Sequence, residues 1–423
     1  MRFIADLHIH SRYSRATSRD MSPEVICKWA QIKGIGVVGT GDFTHPGWLK
    51  ELSEKLEPAG EGLFKLKKEH ELNDVPESCR AEVSFILSSE ISSIYRKNGR
   101  TRKVHSLILV PGFSDVARIN LALSRIGNLN ADGRPILGLD ALDLLKIVKE
   151  ASPSAIFIPA HAWTPHFSVF GAASGFNSLE ECFENYAPHI KAIETGLSSD
   201  PPMNWRVSAL DTINLISNSD AHSPAKMGRE ANIFDTDMSY NSIASAIETR
   251  QGFLGTIEFF PEEGKYHYDG HRACGVSLSP EETIQNNYLC PKCGRRVTVG
   301  VLHRVEKLAD RPSGYKPHNA TPYFPLIPLT ELIACTLGLG VTSKAVEMEY
   351  HRLIVTFGNE FSILMDAPIT RNTQRNWGLI GEAIRRMRSG NINVSSGYDG
   401  QYGKINIFNV GEREEIKRQA TLF

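Results

Sequence analysis

Two pairs of residues spaced two apart carry the strongest chemical signal in the chain, His8-Ile9-His10 and Asp220-Ala221-His222. Each follows an apolar run, Phe3-Ile4-Ala5-Asp6-Leu7 for the first and Ile213-Asn214-Leu215-Ile216 for the second. In a β-strand residues i and i+2 point to the same side, so each pair offers two ligands in one direction. The pattern returns at Ser88-Ser89-Glu90, Val104-His105-Ser106 and Ile158-Pro159-Ala160-His161. A lone His-x-His is a weak signal, because a buried imidazole is often only hydrogen-bonded. Five strand ends bearing His, Asp or Glu are another matter. Imidazoles mixed with carboxylates suit Zn²⁺, Mn²⁺, Mg²⁺ or iron, and one carboxylate can bridge two ions. The expectation is a pocket for two or three catalytic divalent metals, held by His8, His10, Glu90, His105, His161, Asp220 and His222, with Glu90, Asp220 and His222 at its catalytic centre. Glu194 closes another such run, as a ligand, a pocket carboxylate or a structural group.

The elements that must position these residues alternate through about residue 260. Strand-like runs at Gly36–Gly39, Phe85–Leu87, Leu107–Val110, Ala155–Ile158, Ala192–Glu194 and Ile213–Ile216 are separated by helical stretches such as Pro23–Lys33 and Leu139–Ala151. Short buried strands alternating with helices imply a parallel sheet, and ligands gathered at strand C-terminal ends imply an α/β barrel with its catalytic face there.

The remaining composition narrows the function class. With 47 basic and 48 acidic residues the net charge is −1, which excludes a strongly basic nucleic-acid coat but not local patches. Arg12, Arg15 and Arg19 follow the first His pair, and Arg96–Lys103, which includes Arg100 and Arg102, lies between Glu90 and His105; both stretches border the expected site and suit an anionic substrate. No run of about 18 apolar residues or signal segment is present, so no membrane partner is expected. His271-x2-Cys274 and Cys290-x2-Cys293 supply four soft ligands as two short knuckles, the spacing of one structural Zn²⁺, with His267 or His303 as alternatives to His271. Cys27, Cys79, Cys182 and Cys335 read as small core residues. The expected organisation is a catalytic domain over residues 1–264, a zinc-binding module over 265–312, a C-terminal α+β domain over 313–410 that contributes to DNA binding, and a tail over 411–423. Within the third, helices are expected at 329–337, 342–351 and 372–388, with a Gly/Tyr-rich hairpin at 397–404.

These motifs resemble the polymerase-and-histidinol-phosphatase (PHP) family of phosphoesterases, whose distorted seven-stranded β/α barrel commonly holds three metal ions. The family's ligand motifs match His8, His10, Glu90, His105, His161, Asp220 and His222. Where relatives carry Thr-Asp-His after the second strand, this chain has Gly41-Asp42-Phe43-Thr44-His45, so Asp42 or His45 replaces a ligand or one metal is bound differently. From Ala5–Ser18 through Gly39–Pro46, Pro159–Pro165, Glu194–Asp200, the cysteine knuckles and Gly397–Gly403, the chain resembles more narrowly the endonuclease Q family of DNA-repair nucleases. The resemblance implies cleavage of single- or double-stranded DNA on the 5′ side of a deaminated base or an abasic site; with no signal or apolar spanning segment, the expected location is cytoplasmic, nucleoid-associated.

The residue chemistry is compatible. Phosphodiester hydrolysis needs a hydroxide, cations on the phosphoryl oxygens and a stabilised leaving alkoxide, all available from a multimetal site. Reading a damaged base requires taking it out of the stack, which favours an aromatic pocket; Trp163, Phe167 and Phe170 after His161 are the candidates. At the C-terminus, Gln419-x-x-Leu422-Phe423 resembles the short peptides with which repair enzymes dock on the sliding clamp. Two rival readings use the same residues, a small-molecule phosphatase of the histidinol-phosphate type and a non-catalytic DNA-binding adaptor.

Overall fold

The computed structural model describes residues 1–369, 377–409 and 411–413. Its first part contains the strands β1 (Arg2–Asp6), β2 (Val37–Gly39), β3 (Leu56–Gly60), β4 (Leu63–Leu66), β5 (Ser84–Lys97), β6 (Arg100–Val110), β7 (Ile136–Leu137) and β8 (Ile156–Pro159). These are followed by β9 (Ala192–Glu194), β10 (Asn214–Ile216), β11 (Ala231–Asp235) and β12 (Phe253–Glu258). One sheet runs β12-β11-β1-β2-β5-β4-β3, with β6 and β7 also on β5 and β8 on β6, while β9 and β10 pair with each other.

The sheet is mixed rather than parallel. β1 with β2 and β2 with β5 are parallel, but β1 with β11, β11 with β12, β5 with β6 and β6 with β8 are antiparallel. Among the described residues the hydrogen-bonded ladders run from β12 to β8, and the separate β9–β10 pair lies between these two ends, β9 against β8 and β10 against β12. The cause of the misreading is burial on both faces. Phe3, Ala5, Leu107, Leu109, Ile156 and Ile158 face one apolar layer, and their neighbours Ile108, Val110 and Phe157 face the other. Strands buried on both sides read as continuous apolar runs whatever their direction.

A second difference concerns the basic stretch 96–103. It is the end of the β5–β6 hairpin, turned at Asn98 and Gly99 with φ of 53° and 72°, the left-handed pair that an Asn-Gly turn requires. Glu90 lies opposite Leu107, and the strand continues to Lys97, about 20 Å farther at roughly 3.3 Å per residue. The hairpin tip therefore stands away from the metal-ligand face instead of bordering it.

The cysteine-bearing segment is spliced into the main sheet, because the strand Tyr323–Pro325 beyond it pairs in parallel with β12. The helices Leu329–Leu337, Lys344–Phe357 and Leu379–Arg388 follow, residues 372–376 of the expected third helix lying outside the described residues. A buried ion pair ties them to the first part: Lys33 Nζ lies 2.7 Å from Glu360 Oε2, which also accepts from Tyr350 Oη at 2.9 Å. Cys27, Cys79 and Cys182 are buried and Cys335 is half-buried. Among the described residues no helix is long and apolar enough to cross a membrane.

Candidate metal centre

The two sequence pairs meet through the backbone. Ile9 bridges Ala221, and the His10 N–H donates to Ala221 O at 2.9 Å. This sets the side chains on either side of each bridge residue toward one pocket. Asp220, His161 and Asp42 adopt φ of 47°, 30° and 51°, left-handed conformations that a non-glycine residue keeps only where its surroundings enforce them. Gly196 leaves room for one of them, since a Cβ there would collide with His161.

Glu90 sits at the centre. One oxygen faces His8, His10 and Asp220: Oε2 is 3.2 Å from His10 Nε2 and 3.7 Å from His8 Nε2, and His10 Nε2 is 3.0 Å from Asp220 Oδ1. The other oxygen, Oε1, is 2.7 Å from His105 Nδ1 and 2.9 Å from His161 Nε2. Ligand atoms of His8, His10, Glu90 and Asp220 fall within 4.8 Å of one another, as do those of Glu90, His105 and His161. His8 Nε2, His10 Nε2 and Asp220 Oδ1 are buried and complete no hydrogen bond, an arrangement that costs free energy unless a cation is shared among them. The residues therefore fit divalent metals, with Glu90 placed to bridge two.

Electrostatics follow from this crowding. Burial pushes Glu90 up, but His105, His8 and Arg134 together hold it well below the usual carboxylate range. Burial pushes His105 down to about 4 against the pull of Glu90, leaving a neutral imidazole suited to a metal. His8 and His10 are buried as well, yet Glu194 with Glu90 and Asp42 with Asp220 hold them above the ordinary value, so protons and metals compete for the same nitrogens.

Asp42 and Glu194 stand behind the histidines rather than in front of them. His10 Nδ1 lies 3.0 Å from Asp42 Oδ1, and His8 Nδ1 lies 3.0 and 3.1 Å from the two Glu194 oxygens. Asp42 Oδ2 further accepts from Ser11 N, Ser11 Oγ and Ser14 Oγ at 2.7, 2.6 and 2.9 Å. Glu194 accepts from the His161 N–H at 2.8 Å and from Asn218 Nδ2 at 2.9 Å. A carboxylate on Nδ1 fixes the tautomer and aims Nε2 at a metal. His45 precedes the helix Pro46–Lys55 with its ring 4.5 Å from Tyr13, and it belongs to neither ligand group. His222 lies beside the cluster, its ring 4.5 Å from His10 and its Nδ1 2.9 Å from Asp220 O.

One residue at the site carried no sequence signal. Arg134, in the loop before β7, places Nη1 3.0 Å from Glu90 Oε2. The substrate-contact candidates separate into two kinds. Arg12, Arg15 and Arg100 are exposed, Arg12 being bound to both oxygens of Glu51 at 2.8 Å. Arg102 is buried, bonded to Gly175 O and Glu181 with its guanidinium 4.0 Å over Phe176, so it is part of the packing and not an open contact. Trp163 and Phe170 are 1% and 2% exposed and pack on each other, and Trp163 Nε1 donates to Asn204 Oδ1 at 2.7 Å, so neither offers a ring face to a base in this conformation. Phe167 alone of the three borders the site, half-buried and 4.7 Å from the His105 ring.

His271, Cys274, Cys290 and Cys293 form a second ligand group within 4.8 Å, with His271 Nδ1 3.5 Å from Cys293 Sγ. His303 is engaged elsewhere, by Asp269 at 2.7 Å and Tyr288 at 3.2 Å, and His267 is buried outside the group. The adjoining helix Val301–Leu308 carries Arg304, which donates to Phe170 O and Phe176 O, both at 2.8 Å, and so braces the loop after His161. Gln419, Leu422 and Phe423 lie outside the described residues.

The architecture is similar to that of a lesion-specific endonuclease, PfuEndoQ, from Pyrococcus furiosus, with a TM-score of 0.84, 33% sequence identity and coverage of 96% of this chain and 95% of that one. It is similar also to endonuclease Q in complex with a 27-mer duplex carrying an abasic lesion at the active site, with a TM-score of 0.81, 33% identity and 98% of both chains covered. An uncharacterised protein of Methanocaldococcus jannaschii is 33% identical over 270 residues, which span 62% of this chain but only 33% of that relative's length. Residues 328–391 match the family described as the MJ0043 C-terminal domain.

Proposed function

The chain belongs to the endonuclease Q family, and on that premise we propose that it is a metal-dependent endonuclease that hydrolyses the DNA phosphodiester on the 5′ side of a deaminated base (uracil, hypoxanthine or xanthine) or an abasic site. The observation that carries this reading is the double engagement of Glu90, whose two oxygens face separate ligand groups. Divalent cations held there, whether Zn²⁺, Mn²⁺ or Mg²⁺, supply Lewis acidity that activates water and offsets phosphoryl charge. The protein's own part is to orient: Glu194 and Asp42 aim His8 and His10, and Arg304 braces the loop of His161.

A cavity of about 540 Å³ is lined by Pro165, Leu197, Arg229, Phe259 and Tyr266 among others, with Pro165 and Leu197 in the loops that follow His161 and Glu194. Arg229 Nε donates to Ser219 O at 2.9 Å, one residue from Asp220, which links the cavity wall to the cluster. We assign it to the unstacked nucleotide in place of Trp163 and Phe170. The four-ligand group of His271, Cys274, Cys290 and Cys293 would hold one structural Zn²⁺. Residues 313–410 would add DNA contacts, and the 411–423 tail would dock on a sliding clamp. The deciding experiment offers the protein, with Mn²⁺ or Zn²⁺, a uracil-containing duplex and a phosphate monoester in parallel. Nicking 5′ to uracil is expected; turnover of the monoester alone would make the protein a phosphatase.

A further inference from the structure

Arg134 has a mounting that a simple counter-ion to Glu90 does not need. The Gly133 N–H donates to Tyr13 O at 3.0 Å, and Gly133 O accepts from Thr44 Oγ1 at 3.2 Å. The Arg134 N–H donates to Asp132 Oδ1 at 3.1 Å, and Pro135 O accepts from the Ser92 N–H at 3.0 Å. These bonds fix the backbone on both sides of Arg134 and bring the guanidinium to the rim of the cluster. There Nη1 meets Glu90 Oε2 at 3.0 Å while the side chain stays 26% exposed.

A guanidinium has five donors in a planar fork, and Glu90 takes one of them. The oxygen it takes is the one that faces His8 and His10, so cations on those ligands compete with Arg134 for the same carboxylate. Metal ions on those ligands would repel the guanidinium, which Glu90, Asp220 and Asp132 already attract, and a further anion beside it would offset that repulsion. A phosphodiester supplies that anion, with two non-bridging oxygens spaced for the fork. Resting on the endonuclease reading, we propose that Arg134 binds the non-bridging oxygens of the phosphate presented to the metals. It is a substrate-positioning residue that also offsets the charge gathering there during hydrolysis.

The test compares Arg134→Gln and Arg134→Lys with the parent, all loaded with Mn²⁺, in three measurements: metal content, inorganic phosphate titrated by calorimetry, and single-turnover cleavage of a uracil duplex. Expected are unchanged metal content, phosphate affinity roughly 10- to 100-fold lower in Arg134→Gln, the scale of one or two charge-assisted hydrogen bonds, and partial recovery of cleavage in Arg134→Lys. Loss of metal in Arg134→Gln would make Arg134 a prop for Glu90, and undiminished phosphate affinity would remove it from the substrate site. If phosphate binding depends on Arg134 but the parent cuts no lesion-bearing DNA, the endonuclease reading fails and the phosphate assignment stands.

Discussion

The two ligand clusters of this chain are held in opposite ways. In the His and carboxylate cluster, His8, His10, Glu90, His105 and His161 are all buried, set by strands or strand ends, and at least two imidazoles are oriented by a carboxylate on Nδ1. In the cysteine cluster, His271 and Cys274 are half-buried and Cys293 is exposed, and the ligands sit on short turns with a small apolar core of Val276, Leu278, Cys290 and Val297 beneath them. The first geometry is set by the sheet and would persist without ions; the second, on the reading that it holds a structural ion, would depend on that ion to close its knuckles. Rigid, supported ligands leave room for chemistry, whereas a ring of four soft ligands leaves none.

The largest effect expected from breaking this contrast is at Asp220. Asp220→Asn should lower cleavage by at least about 10³-fold, the several kcal/mol that a metal contributes to phosphoryl charge stabilisation, with the melting temperature little changed. Single-turnover assays beside a thermal melt decide it, and retained cleavage would take Asp220 out of the ligand set.

The cysteine cluster should answer the other way round. Cys290→Ala with Cys293→Ala should lower the metal content by one ion and destabilise the protein by several kcal/mol, since binding of a structural ion is folding free energy. Residual cleavage at low temperature should fall far less than in Asp220→Asn. An unchanged metal count would refute the assignment, and complete loss of cleavage in a well-folded variant would mean that the two clusters are not separate in function.

Much of the His and carboxylate cluster was legible because strand-end residues spaced by two share a face, which is how His8, His10, Asp220 and their companions come to stand together. Arg134 was not, because it arrives from a loop with no periodicity to betray its direction. Asp42 and Glu194 could be seen but not placed. A carboxylate behind an imidazole and one in front of it occupy the same kind of position in sequence, and only the Nδ1 contacts separate them. Strand direction was hidden by burial on both faces, and the Asn98-Gly99 pair, read only as part of a basic stretch, is a hairpin-turn signal that went unused. Trp163 and Phe170 could not be placed from sequence, because an aromatic ring that packs a loop looks in sequence like one that stacks a base.

Carboxylates without a histidine offer a sharper version of the contrast. Glu258 is buried near the same face, and burial, with Asp200 adding to it, pushes its carboxyl up to about 8 despite the hydroxyls of Thr256, Thr195 and Ser217. Glu230 is pushed up as well, by burial and then by Glu258, and neither of its oxygens has a partner. The folded state thus keeps a proton on Glu258 in the window from about pH 4.5 to about pH 8, where the unfolded chain gives it up. Stability must fall as pH rises through that window, by an amount on the order of a few kcal/mol at about 1.4 kcal/mol per pH unit. Glu258→Gln should make this slope shallower without abolishing it, because burial also raises Glu230, Asp200, Glu263 and Asp6, and the variant should be more stable than the parent at pH 8 in denaturant titrations. A parent whose stability is flat from pH 5 to pH 8 would show that Glu258 is ionised in the fold.

The smallest effect tests where the sheet's support ends and the ligand shell begins. If Glu194 and Asp42 act only through the Nδ1 atoms of His8 and His10, then Glu194→Gln and Asp42→Asn keep every ligand atom and lose only its orientation and basicity. Metal affinity should then fall by about 10- to 100-fold, the usual cost of removing such a partner, while the number of ions bound at saturation stays the same. A direct ligand behaves otherwise, because its removal takes an ion away at any concentration. Titrating each variant with Mn²⁺ to saturation and counting bound ions separates the two roles. A count lower by one in Glu194→Gln would put that carboxylate in front of the histidines instead of behind them. The Glu194 contacts argue for the supporting role: its oxygens already receive His8 Nδ1, the His161 N–H and Asn218 Nδ2. An ion drawn to them would have to displace those three donors, one of which holds His161 in its left-handed turn.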